Sequence, residues 1–135
     1  MLSWRRPGNL GLRDGRLAPP KRTPNCVSSQ ADPADVEHFI RPIAFRGTAA
    51  AAIAAARKAV EVMERATVIG EEANYLCAEF RSRLMGFVDD VEFTCDEKAG
   101  VIHVRSASRL GRRDFGVNRA RVEALRARIE GRAGN

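Results

Sequence analysis

Three successive stretches that alternate apolar and polar side chains constrain this chain more than anything else in it. In residues 74–84, Leu76, Ala78 and Phe80 fall on one side, with Tyr75, Cys77, Glu79 and Arg81 on the other. In residues 88–95, Val91, Phe93 and Cys95 oppose Asp90, Glu92 and Thr94; in residues 101–108, Ile102 and Val104 oppose His103 and Arg105. A period of two marks a strand with one face in a core. Short connections at Met85-Gly86-Phe87 and from Asp96 to Gly100 make consecutive strands pair antiparallel, as a meander of at least three. Pro42 to Phe45 begins a further edge strand.

Helical spacing flanks the meander. From Thr48, a capping residue, Ile53, Ala56, Val60 and Met63 recur on one face, with Arg57, Lys58, Glu61, Glu64 and Arg65 on the other. A helix is expected over about residues 48–65, with Glu61 and Arg65 paired one turn apart. In the last segment Val122, Leu125 and Ile129 point inward, and Arg119, Arg121, Glu123, Arg126 and Arg128 outward. Asp114 or Asn118 can cap that helix and Gly131 can end it. The fold class is therefore α+β: a small antiparallel sheet with two helices packed on one face, behind an N-terminal arm.

At 135 residues with 44% hydrophobic content the chain suits one domain. The division expected is a flexible basic arm at 1–23, one domain at 24–131 and a disordered tail at 132–135, because Pro, Gly, Asn, Asp and Ser interrupt any period before residue 36. Of the net charge of +6, the first 24 residues carry +5 through Arg5, Arg6, Arg13, Arg16, Lys21, Arg22 and Asp14. Net charge concentrated in a tail, a second basic stretch from Arg109 to Arg128 partly balanced by Asp114, Glu123 and Glu130, and aromatic content of 6% with Trp4 and Tyr75 isolated argue against specific nucleic-acid binding. No run is long enough to span a membrane and no apolar block follows the N-terminal charges, so the default location is cytoplasmic. Cys26, Cys77 and Cys95 are an odd set without Cys-x-x-Cys spacing, which reads as free thiols and signals no metal site. Nothing in the chain names a cofactor.

Residues opposite one another on antiparallel strands point the same way. Keeping Val91 and Phe93 with Ile102 and Val104, a loop of residues 96–99 sets Glu92 opposite His103 and Asp90 opposite Arg105, with Arg81 beside Glu92 or Asp90 and Glu79 close by. Two readings follow. Left open to water, the six charges form a cross-strand ladder contributing only about 0.2–1 kcal/mol per pair. Roofed by residues 24–30, whose Asn25, Cys26, Ser28 and Ser29 are rich in hydrogen-bonding groups, they become a polar pocket. That pocket would bind a small polar or anionic ligand or a protein partner. The alternative is an enzyme using Glu79, Asp90 or Glu92 with His103 for acid-base or metal-assisted chemistry, or Cys26 as a nucleophile activated by His103. Arg109 and Arg119, in the polar connection to the last helix, either serve turn and cap structure or bind an anion.

Residues 24–30 (PNCVSSQ), 86–93 (GFVDDVEF), 101–109 (VIHVRSASR) and 114–122 (DFGVNRARV), with 79–82 (EFRS) and 11–17 (GLRDGRL), resemble the domain-of-unknown-function 1499 family, which has bacterial and plant members. The resemblance covers nearly the whole chain. It implies a shared fold with the arm as an integral piece, and it implies no agreed activity, substrate or catalytic residue. Relatives often have a cysteine a few residues before the Pro-Asn-Cys element, where Pro19 and Pro20 stand here, so a disulfide to Cys26 across that loop is not expected. Relatives often carry export or membrane segments as well.

Overall fold

A computed structural model of the chain describes residues 6–84 and 86–133; the expectations touching Trp4, Arg5, Met85 and the last two residues lie outside these. Among the described residues the order is β1 (Cys26–Ser28), β2 (Ile43–Ala44), α1 (Ala49–Glu61), β3 (Ala66–Glu72), β4 (Tyr75–Arg81), β5 (Val88–Asp96), β6 (Val101–Ser108) and α2 (Val117–Ala133). The sheet runs β1-β6-β5-β4-β3, with β2 also on β6, and every pairing is antiparallel. The three expected strands are β4, β5 and β6, and the expected edge strand is β2. Two strands escaped the periodicity. β3 carries a bulge between Val68 and Gly70 that breaks its alternation, and β1 is only three residues long.

Both helices cover one face. Thr48 Oγ1 accepts a hydrogen bond from Ala51 N at 3.1 Å and starts α1. The helix buries Ala52, Ile53, Ala56, Ala59 and Val60. It stops at Glu61, short of the expected residue 65, because Arg65 adopts a left-handed φ of 58° as the chain turns into β3. Glu61 consequently pairs with Arg57 at 3.2 Å, not with Arg65. Val122, Leu125 and Ile129 of α2 join Leu76, Val91, Phe93, Ile102 and Val104 in the same core. Two expectations for α2 need correction. Gly131 does not end it, and Arg126 is buried, donating to Arg41 O at 2.6 Å and Pro42 O at 2.7 Å and so tying the helix to the approach to β2.

His38 braces the loop between β1 and β2, with ring nitrogens 2.9 Å from Thr23 O and 2.7 Å from Asp35 Oδ2. Burial opposes its charge, but the Thr23 carbonyl and Asp35 carboxylate outweigh burial and raise its pKa. A raised folded pKa adds stability that is complete below the unfolded value of about 6.5 and is lost as pH rises through the folded one. The stability gap between the wild type and His38→Gln is therefore expected to shrink as pH goes from about 6 to about 9, measured by urea denaturation.

Candidate functional site

The other face of the sheet gathers the charges. Glu79 opposes Asp90, and Glu92 opposes Arg105. Their sharing of one face follows from the parity derived above, but the register differs by one rung. His103 opposes Thr94 and Asp90 opposes Ala107, not Glu92 and Arg105 as expected. The cause lies in the β5–β6 turn, where Gly100 takes φ 68° and donates to Asp96 O at 3.0 Å. The glycine thus belongs to the turn and β6 starts at Val101, a slide of two that preserves the faces. Arg81 likewise opposes Val88, two positions from Asp90, and among the described residues the acid its exposed guanidinium reaches is Glu79, at 3.7 Å.

Of these charges Glu79, Asp90, Glu92 and Arg105 are buried, each within reach of an opposite charge. Arg109 Nε and Nη2 each donate to an Asp90 carboxylate oxygen at 2.8 Å, and Nη2 also donates to Glu79 Oε2 at 2.6 Å. Glu79 receives a further bond from Arg6 Nε at 2.8 Å. Burial pushes the Glu79 pKa up, yet the hydrogen bonds from Arg6 and Arg109 overcome that and hold it below the usual carboxylate range. Glu92 lies deeper. Its Oε2 accepts from the Tyr75 hydroxyl and, at 2.7 Å, from Gly11 N, while Oε1 stands 3.7 Å from Arg105 Nη1 without a hydrogen bond. Burial raises the Glu92 pKa despite these partners.

The roof is the arm, not residues 24–30. Those residues form β1 and its flanks, in the plane of the sheet: Cys26 pairs with Ala107 and Ser28 with Arg105. Strand pairing satisfies their backbone better than a free-standing loop would. Over the charged face instead run residues 6–21. Arg13 and Arg16 exchange backbone hydrogen bonds at 2.9 and 3.1 Å around Asp14 and Gly15, both at positive φ, which is the turn an Asp-Gly pair favours. Leu10, Leu12 and Leu17 pack on Tyr75, Cys77 and Ile69. Leu17 N donates to Gln30 Oε1 at 2.9 Å, and Lys21 Nζ to Ser108 O at 2.7 Å. Tyr75 and the arm's leucines are the site residues that sequence reasoning missed. The Asp-Gly turn between leucines was the signal available for the arm.

The other candidates divide. Asn25 is buried, donates to Leu110 O and Gly111 O at 3.1 and 2.8 Å, and latches the connection before α2. Asp114 caps that helix by accepting from Gly116 N and Asn118 N at 2.9 and 3.0 Å. Arg119 sits away from the charged face, donating to Val36 O and Glu37 O at 3.3 and 3.2 Å. Ser28 Oγ accepts from Gln30 N at 3.1 Å. The Cys26 thiol is buried with its pKa raised by burial. On the register it stands four residues along β6 from His103, or about 13 Å at strand rise, so the two do not meet. His103 Nδ1 lies instead 2.9 Å from Ser29 Oγ, which also accepts from Val104 N at 2.9 Å. No group of three or more His, Cys, Asp or Glu able to hold a metal occurs among the described residues.

Where the arm crosses β6 it borders a half-open cleft of about 470 Å³. Its charged lining is Arg13, Arg16, Lys21 and Arg105, with no carboxylate among the lining groups. The Arg105 guanidinium donates from Nη2 to Pro19 O at 3.3 Å, and its buried Nε has no hydrogen-bond partner. An unpaired buried N–H of a cation carries its full desolvation cost, so this atom is out of place in a merely structural ion pair.

Fold and site together define a class: an α+β protein whose antiparallel sheet is packed by helices on one face and closed on the other by an N-terminal segment lying over paired charges. The chain belongs to the family described as protein of unknown function (DUF1499), whose model matches residues 16–129. No curated protein and no solved structure matches it. No helix among the described residues is long and apolar enough to cross a membrane.

Proposed function

We propose that the chain is a binding module for a small anion, held between the arm and the charged sheet face. The observation that carries this reading is the all-cationic charged lining of this space, Arg13, Arg16, Lys21 and Arg105 without a carboxylate, next to an Arg105 whose buried Nε lacks a hydrogen-bond partner. Arg13, Arg16 and Lys21, beside an Arg105 whose charge Glu92 offsets, leave an excess of positive charge around this space that favours an anion able to accept from several donors at once. A carboxylate or phosphate fits this chemistry, the planar guanidinium of Arg105 taking one edge and Arg13 and Arg16 closing from the arm. Glu79, Asp90 and Glu92 serve to hold the site's frame, since arginines or hydrogen bonds from the arm occupy each of them.

Thermal shift with inorganic phosphate, citrate and a nucleoside triphosphate tests the proposal, each against sodium chloride of equal ionic strength. At about 100 times its Kd a ligand adds about 2.7 kcal/mol of stability. Arg16→Ser removes a cation exposed at the cavity wall and is expected to weaken binding about tenfold without altering the free protein's stability. The idea fails if none of the three anions stabilises the protein beyond chloride, or if Arg16→Ser binds as the wild type does.

A further inference from the structure

Most of the exposed large apolar side chains among the described residues gather at one end of the sheet. Phe87, Leu110, Phe115 and Val117 wall a cleft of about 670 Å³, and Leu84 follows Arg83 in the β4–β5 connection beside it. Phe115 is 94% exposed and Leu84 89%, so neither ring nor chain is used by the fold. Phe115 also holds a left-handed φ of 54°, a conformation that disfavours a bulky side chain and that packing does not reward here. A glycine at this position would suit the fold better, which marks the ring as serving something outside it.

The charges around the cleft are unequal. Its acids are spoken for: Glu64 pairs with Arg65 at 3.0 Å, Asp89 with Arg121 at 2.8 Å, and Asp114 caps α2. Arg83 and Arg113, which also line it, have no carboxylate partner among the described residues. Projecting apolar tips next to unpaired cations, around a concave apolar floor, match a membrane interface: tips enter the acyl region while arginines meet headgroup phosphates. A free small anion would leave the two tips in water.

We propose that this end of the molecule docks on an anionic lipid bilayer, with Phe115 and Leu84 inserted, Arg83 and Arg113 on headgroup phosphates, and the cleft receiving part of an acyl chain. The site is distinct from the arm cavity and its fate does not depend on that reading.

Co-sedimentation of the full chain with vesicles of phosphatidylcholine, alone or mixed with phosphatidylglycerol, tests it. Binding is expected to be about tenfold or more tighter with phosphatidylglycerol and to weaken with salt. Phe115→Gly relieves the backbone conformation, so its melting temperature should match or exceed that of the wild type while its vesicle affinity falls about tenfold. That pairing separates lost docking from lost folding. Equal or absent binding to the two vesicle types, or unchanged binding by Phe115→Gly, overturns the proposal. So does a vesicle-independent dimer abolished by Phe115→Gly, which would assign the face to a second copy.

Discussion

Arg109→Ala is expected to lower stability by about 3–5 kcal/mol, because it leaves the buried Asp90 carboxylate without its cation and Glu79 with only the exposed Arg6 and Arg81. Arg109 spans Asp90 through two parallel hydrogen bonds and reaches Glu79 with a third contact. Among the described residues Arg6 pairs with Glu79 and not with Asp90, so it does not compensate Asp90. Urea denaturation checks the effect as a shift of midpoint at unchanged slope. Replacing Glu79 and Asp90 by leucine in the same variant should recover most of the loss, since apolar groups of similar volume carry no desolvation cost. A triple variant as unstable as the single one would show that packing of the arginine stem, not charge, had been lost. The pH profile adds an independent check. A depressed folded pKa for Glu79 contributes stability above the unfolded value of about 4.3, lost as pH falls through the folded value. The wild type should therefore lose stability on acidification more steeply than Arg109→Ala.

The second large effect concerns the arm. Glu92→Leu strands Arg105 as a buried cation and deprives Tyr75 and Gly11 of their acceptor, for an expected loss of about 3–5 kcal/mol. Because Gly11 N is bonded to that carboxylate, the arm should also loosen, and trypsin should cut after Arg13 and Arg16 faster than in the wild type. Equal cleavage rates would show that Leu10, Leu12 and Leu17 hold the arm unaided. Glu92 has the opposite pH sign from Glu79. Its raised folded pKa gives stability that is present below the unfolded value and lost as pH rises through the folded one, a component that Glu92→Leu should lack.

Alternation in β4, β5 and β6 was enough to place Glu79, Asp90, Glu92, His103 and Arg105 on one face. Side-chain direction in a strand depends only on counting, and a two-residue slide leaves it intact. Partners are another matter. Which rung faces which turned on whether Gly100 belonged to the turn or the strand, and that choice moved His103 from Glu92 to Thr94. The arm shows the same boundary. Its Asp-Gly turn and three leucines were visible in the chain, but their meaning depended on the Tyr75–Cys77–Ile69 surface more than fifty residues away.

Local pattern thus assigned the α+β class, the capping by Thr48 and the shared polar face, because each depends on neighbours within a few residues. Long-range packing chose the roof, the Arg109 clamp and the cavity at Arg105, because burial is what turns an exposed charge ladder into a set of obligatory pairs.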